Sequence, residues 1–313
     1  MNPKGFTQLV ELRTKFASLL PFLIGISFAT VQYHQLSWLN TIIFFVAMSL
    51  FDMATTAINN LMDYQKARSR AYREKVNVIG REHLSIRTVS WLSILMVGAA
   101  SGLGIWLVWR TDLFLLLIGA LCFAIGLSYT MGPMPLSRLP LGEIFSGITM
   151  GLLIPFIAVY INVADQQLIS LTLHWPGALL MVNIWQLLGL GLVCLPSIGT
   201  IANVMLANNL SDLAEDAKNK RHTLPSYLGV PTSLRLYHGL IAIGYFGIII
   251  GMALRLVPWS ASLIFLSVPI AIYNNRLFAT EQSKTKTFKT SISNLVWVNS
   301  SLLVGLILGL VVK

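Results

Sequence analysis

Charge is scarce in this chain. Of its 313 residues only 11% are Asp, Glu, Lys or Arg, about half the share of an ordinary soluble domain. Apolar residues make up 55% and the mean hydropathy is +0.72. One soluble core cannot absorb that excess, so the surplus must face lipid, and disordered, collagen-like and coiled-coil chains are excluded as well. Cysteine is nearly absent: Cys122 and Cys194 lie inside apolar runs without metal-ligand spacing, and read as packed membrane residues rather than a disulfide. Acids are the scarcest charged residues, 12 Asp and Glu against 22 Lys and Arg, for a formal charge of +10. Such a balance suggests nucleic acid until the basic positions are mapped.

A spanning helix needs roughly 20 mostly apolar residues. Nine stretches qualify: about 16 to 33, 38 to 61, 88 to 109, 113 to 131, 142 to 161, 184 to 208, 232 to 254, 259 to 275 and 292 to 312. Pro21 and the lack of a small-residue cleavage site argue that the first stretch is retained rather than removed as a signal peptide. With the amino terminus in the cytoplasm, nineteen of the 22 basic residues fall on the inner side; Arg110, Arg255 and Lys313 are the exceptions. The basic excess is therefore topology, set by the positive-inside rule, and not a nucleic-acid surface. The expected fold is all-α: a polytopic plasma-membrane protein, one domain over residues 1–313, forming a nine-helix bundle with a cytoplasm-facing active-site cavity.

Within this apolar background one pentad occurs twice. Asn59-Asn60-Leu61-Met62-Asp63 ends the second span, and Asn208-Asn209-Leu210-Ser211-Asp212 ends the sixth, 149 residues later. Both spans are even-numbered, so both pentads reach the same cytoplasmic boundary, followed by the polar motif loops 59–87 and 208–229. Positions four apart share a helix face, which aligns Asn59 with Asp63, and Asn208 with Asp212 and Asp216. Each helix thus presents a stripe of oxygen ligands at its negative carboxyl end, where the dipole favours a cation. Asp212 and Asp216 repel one another at the edge of an apolar slab unless a cation lies between them. Mg2+ suits so sparse a set, since it prefers one or two carboxylates, water and phosphate oxygens. Ordinary polar helix ends are the bland alternative, which repetition at matched depth weakens.

Such a metal implies a phosphate-rich ligand, with Lys66, Arg68, Arg81, Lys218 and Arg221 as counter-charges. A phosphate head at the mouth of a helix bundle and a long tail between helices or in lipid describe a polyprenyl diphosphate.

These segments resemble the UbiA-type intramembrane prenyltransferases, whose aspartate-rich motifs, Asn-Asp-x-x-Asp-x-x-x-Asp and Asp-x-x-x-Asp-x-x-x-Asp, follow helices 2 and 6 of a nine-helix bundle. The resemblance covers essentially the whole chain. It is carried by Asn59 to Lys66, by Asn77 to Glu82, by Asn208 to Gly229, and by Tyr129-Thr130-Met131-Gly132-Pro133-Met134-Pro135 running to Leu141-Gly142-Glu143. The last segment is similar to the branch that prenylates 1,4-dihydroxy-2-naphthoate in menaquinone synthesis; the 4-hydroxybenzoate branch usually reads Tyr-Pro-x-x-Lys-Arg there. Asn60, Ala67 and Lys220 depart from the acids or glycines of the family motifs, leaving Asp63, Asp212 and Asp216 as the minimal acidic set. Asn59 and Asn208 then serve as amide-oxygen ligands.

The resemblance implies Mg2+-dependent transfer of a polyprenyl group to an aromatic acid, with loss of CO2, giving demethylmenaquinone. No protein nucleophile is needed, and the Tyr64 to Arg87 loop is long enough to form a lid against water. Tyr129 either lends its ring to an allylic cation or anchors its helix at the interface. Glu143 and Arg13 are candidate acceptor ligands, against helix capping and positive-inside anchoring. Asp52, deeper on the same face as Asn59, either lines the cavity or pairs with Thr55 or Thr56. The rival from another class is a cation-coupled transporter, whose ion-binding acids lie near the bilayer midplane; here only Asp52 is deep.

Overall fold

The computed structural model describes residues 2–67, 70, 72–132, 135–163, 168–218 and 221–311. They form the helices α1 (Pro3–Leu9), α2 (Phe16–Tyr33), α3 (Trp38–Lys66), α4 (Val78–Arg81), α5 (Ile86–Arg110), α6 (Leu113–Ser128), α7 (Gly142–Ile148), α8 (Ile154–Val163), α9 (Ile184–Ser211), α10 (Leu213–Lys218), α11 (Leu224–Ala253), α12 (Val268–Thr280) and α13 (Phe288–Leu308). One hairpin, β1 (Ile169–His174) paired antiparallel with β2 (Gly177–Val182), interrupts them. Among the described residues eight helical segments are long and apolar enough to cross a membrane. The stretch expected at 113 to 131 is α6, an apolar helix of only 16 residues, shorter than an upright span requires. The chain is an all-α, multi-pass membrane protein.

Helix length places the motifs. About 20 residues cross the hydrocarbon core, whereas α3 has 29 and α9 has 28. Their carboxyl-terminal turns, which carry the two pentads, therefore run on to the membrane boundary. Other spans are composite. A π-helical turn, Thr149–Leu153, joins α7 to α8 in one span, and a 3-10 stretch, Trp259–Ser267, leads into α12. In α11, Gly229 takes φ 71° and ψ 161° just before Pro231, a left-handed conformation that glycine adopts without Cβ strain. The straight part of α11 begins beyond that break, close to the start expected from hydropathy.

The described residues fall into two compact units, Met1–Phe16 with Ile42–Pro135, and Ala17–Thr41 with Leu136–Lys313. In the first, Leu9 of α1, Ala57 and Leu61 of α3, Val78 and Ile79 of α4, and Val89 and Met96 of α5 form one apolar cluster. The expected lid is thus partly tied down: beyond a π-helical turn at Tyr72–Val76, Asn77 caps α4 by accepting the Ile79 N–H at 2.9 Å, and α4 buries Val78 and Ile79. In the second unit α9 is central, with 67% of its spanning window buried. Leu206 and Leu210 of α9 pack on Tyr237 of α11 and Phe278 of α12, while Ile201 meets Leu20 of α2 and Leu295 of α13. Polar groups join these helices where lipid offers no hydrogen bonds: the Asn203 amide donates to the Tyr237 carbonyl at 2.8 Å, and the Asn299 amide to the Thr200 hydroxyl at 2.9 Å.

Gly80 is where α4 meets the preceding turn. A Cβ there would stand 1.8 Å from the Arg73 carbonyl oxygen, whereas at Gly98 nothing lies within 4 Å. Overpacking of this kind costs about 1–3 kcal/mol or more. Gly80→Ala should therefore lower the melting temperature of the purified protein by several degrees, and Gly98→Ala should leave it unchanged or raise it. Equal melting temperatures for the two variants would show that α4 is not seated as described.

Candidate active site

The first motif is the last two turns of α3. Its second asparagine, Asn60, is taken up by structure. The Asn60 amide donates to the Leu9 carbonyl at 3.0 Å, and its own carbonyl accepts from the Asn77 amide at 2.9 Å, so α1, α3 and the start of α4 are tied at one residue. Asn59 and Asp63 share the neighbouring face, four residues apart and both half-buried. Lys66 is exposed where α3 ends. Arg81, also exposed, donates to the Gln8 side chain at 3.0 Å and lies 3.6 Å from Glu82.

Below this motif Asp52 has a cationic partner that the sequence did not suggest. Lys15 reaches its carboxylate at 2.7 Å and the Thr56 hydroxyl at 2.7 Å. The Thr55 and Thr56 hydroxyls, one of the two alternatives for the acid, donate to the Asp52 carbonyl oxygen. Tyr129 terminates α6, half-buried, its N–H bonded to the Ile125 carbonyl at 2.8 Å. Arg68, Pro133, Met134 and Lys220 lie outside the described residues, as do the side chains of Arg13 and Lys218.

In the second motif α9 ends at Ser211, and Asp212 caps it with φ −100° and ψ 2°. The expected row survives this break. Asp212 N–H bonds the Asn208 carbonyl at 3.1 Å and Asp216 N–H bonds the Asp212 carbonyl at 2.8 Å, so Asn208, Asp212 and Asp216 remain one turn apart on one side. Asn209, like Asn60, turns elsewhere: its amide donates to a Glu143 carboxylate oxygen at 2.9 Å. Glu143 is only 3% exposed, and its other oxygen has no hydrogen-bond partner among the described residues.

Cations accompany both motif acids. Lys284, not singled out from the sequence, pairs with Asp212. Arg221 stands 3.9 Å from Asp216, whose other oxygen accepts from Thr223 at 3.4 Å. Asp216 is 5% exposed; its burial, reinforced by the like charge of Asp212 and opposed by Arg221, Thr223 and Lys284, raises its carboxyl above the usual aspartate range. Among the described residues no three His, Cys, Asp or Glu side chains gather as a metal cluster.

The model of the UbiA prenyltransferase family matches residues 18–299. The chain belongs to the UbiA prenyltransferase family. It is a prenyltransferase, and the transporter reading is set aside. It is similar to the 1,4-dihydroxy-2-naphthoate octaprenyltransferase of Bacillus subtilis (strain 168), 29% identical over 268 residues, which cover 84% of this chain and 78% of that protein. Its fold is similar to that of a UbiA homolog from Aeropyrum pernix K1 at a TM-score of 0.69, with 18% identity over 93% of this chain and 97% of that one. A UbiA homolog from Archaeoglobus fulgidus bound to DMAPP and Mg2+ gives a TM-score of 0.62 at 13% identity, covering 99% and 100% of the two chains. At these identities the two structures establish the fold alone.

The Asp216 environment sets a pH dependence. A carboxyl raised on folding stabilises the protein fully below its ordinary value near 3.9, and that contribution is lost as pH rises through the raised value. In divalent-free buffer, Asp216→Asn should melt no lower than the parent at pH 7, the difference narrowing toward pH 4. A variant that melts lower at pH 7 would show that the fold favours the charged carboxylate.

Proposed function

We propose that the enzyme transfers a polyprenyl group from a polyprenyl diphosphate to 1,4-dihydroxy-2-naphthoate with loss of CO2, using Mg2+, at the cytoplasmic face of the plasma membrane. The observation that carries this reading is the parallel use of the two pentads. In each, the second asparagine is spent on a structural bond, and the first asparagine and the aspartate are left on a shared face at the membrane boundary. For the acceptor, support comes from the Tyr129 to Glu143 segment and from the named activity of the Bacillus relative.

The donor set of each motif fits a hard divalent cation. Asn59 and Asp63 offer an amide oxygen and a carboxylate from α3; Asn208, Asp212 and Asp216 offer the same chemistry from α9 and α10. The Asp216 carboxyl is raised by burial and, to a lesser degree, by the charge of Asp212, which supports a cation there, since added positive charge favours the ionised form. Bound there, a divalent cation would supply Lewis-acid neutralisation of the charge that builds on a departing diphosphate.

The protein's own cations work in the same sense. Lys66 and Arg81 flank the first motif, with Arg221, Lys218 and Lys284 beside the second, and they stabilise the leaving group as preplaced positive charges. The allylic C–O bond then breaks with both electrons on the diphosphate oxygen. Tyr129 offers an aromatic face to the allylic cation. The electron-rich naphthoate ring attacks through its carboxylate-bearing carbon, held close enough for proximity to supply much of the acceleration. The new C–C bond forms and CO2 leaves from the same carbon, its bonding electrons restoring the aromatic ring, so the product released is the quinol; demethylmenaquinone forms when that quinol passes two electrons and two protons to an oxidant outside this protein, such as dioxygen. Glu143, with one oxygen unused by its neighbours, and Arg13 orient the acceptor. Asp52 acts through Lys15, so its influence on acceptor binding is indirect.

Purified protein supplied with farnesyl or geranylgeranyl diphosphate, Mg2+ and a panel of aromatic acids should give prenylated naphthoquinol by mass spectrometry, and none in excess EDTA. Asp63→Asn, Asp212→Asn and Asp216→Asn should each lower kcat by on the order of 10² or more, with Asp52→Asn milder. Product formed from 4-hydroxybenzoate instead would reassign the acceptor. Near-normal rates for Asp63→Asn and Asp212→Asn would remove the pentads from catalysis.

The positive-inside argument also fixes which side the motifs face. Cysteines placed at Glu74 and Ala217 should react with an impermeant maleimide only after the inner face is opened, and one placed at Trp175 should react in intact cells. The reverse pattern would overturn the orientation.

A further inference from the structure

We propose that the groove between α11 and α12 is a binding site for an anionic phospholipid. The groove has a volume of about 470 Å³ and is lined by His238, Ile241, Ala242 and Tyr245 of α11 and by Val268 and Arg276 of α12, among others. Its two ends differ chemically. α11 begins beside Thr223, which bonds Asp216, and α12 leads to Lys284, which pairs with Asp212. His238 and Arg276 therefore lie toward the membrane face that carries the second motif. Tyr245, seven residues further along α11, and Val268, eight residues back along α12, lie about 10–12 Å deeper by the 1.5 Å rise per residue. The cavity is thus polar toward the boundary and apolar toward the bilayer interior, the orientation of a lipid in that leaflet.

Charge selects the headgroup. Arg276 and Arg235 are both exposed within spanning helices, and neither forms an ion pair with the described residues. At the membrane face such a guanidinium attracts an anionic headgroup. The Arg276 guanidinium and the His238 imidazole line one end of the groove, and Arg235 precedes His238 by three residues on α11, next to the groove and outside its lining. None of the described lining residues is acidic. A zwitterionic headgroup would bring its own cation to a place without a carboxylate to receive it. A diphosphate carrying a divalent metal would likewise lack the carboxylates that the motifs provide. A phosphodiester with one net negative charge matches the groups present.

The test uses delipidated full-length protein, incubated with phosphatidylglycerol or with phosphatidylcholine of the same acyl chains and read by native mass spectrometry. Phosphatidylglycerol should be retained at least about tenfold better, as expected for two basic groups near a headgroup. Arg276→Gln should abolish most of that preference and Arg276→Lys should keep it, whereas Ala242→Phe, which fills the groove, should reduce retention of phosphatidylglycerol. Equal retention of the two lipids by the parent protein overturns the proposal, and this comparison decides even where a variant does not fold. Displacement of phosphatidylglycerol by farnesyl diphosphate in EDTA overturns it too, because the groove would then belong to the prenyl donor.

Discussion

A carboxylate at the edge of the hydrocarbon layer is expensive, and the architecture follows from how that cost is met. A charge leaving water loses solvation that only a counter-charge or several hydrogen bonds can replace. The chain has 12 acids in 313 residues, and those near the spans are accompanied. Asp52 has Lys15, Asp212 has Lys284, Asp216 has Arg221 and Thr223, and Glu143 has Asn209. For Asp52, Asp212 and Glu143 the partner comes from a remote part of the sequence, so each of these acids also clamps two segments.

The pentads show how one short sequence serves two purposes. On a helix, adjacent residues point about 100° apart, so Asn-Asn offers one side chain to the scaffold and one to an open face. Asn60 joins α3 to α1 and α4, and Asn209 joins α9 to α7. The two scaffolds differ, yet in both the structural amide is followed three residues later by the aspartate, on the face of the first asparagine. This accounts for Asn60 standing where the family motif usually has an acid: its donor amide meets a carbonyl oxygen, which an ionised carboxylate would repel.

How much of this was readable in the sequence depends on the range of each signal. Spans and pentads follow from local hydropathy and length: among the described residues eight of the nine expected stretches are helical segments long enough to span, and the pentads stand at the carboxyl ends of α3 and α9. The repeat of Asn208, Asp212 and Asp216 at intervals of four was equally legible, because one helical turn is a local property. The break in α11 was signalled by Leu228-Gly229-Val230-Pro231. The β1–β2 hairpin was missed, although Trp175-Pro176-Gly177 between two apolar runs is turn chemistry. The Asp212–Lys284 and Glu143–Asn209 pairs join residues 72 and 66 positions apart, and no periodicity or motif in a single sequence specifies which distant partner an acid will find. Asp52 illustrates the error this produces: a local search offered Thr55 and Thr56, while the cation came from the segment before α2.

The partners also divide the acids by what they are able to do. Asp212 and Asp216 are held by cations, and a salt bridge near the surface is worth little once screened, so a lysine or arginine can turn from its aspartate to a phosphate at small cost when a metal takes its place. Glu143 has a different neighbour. The Asn209 amide supplies a hydrogen bond and no charge, and the second carboxylate oxygen remains without a described donor, which suits a group that completes its bonding only when an acceptor hydroxyl is present. Under the proposed function the exchangeable ion pairs would meet the leaving diphosphate, while the incompletely bonded acid lies at the end of the segment resembling the naphthoate branch. In this reading Lys284 and Arg221 hold the motif aspartates in register until metal and diphosphate take over their charges.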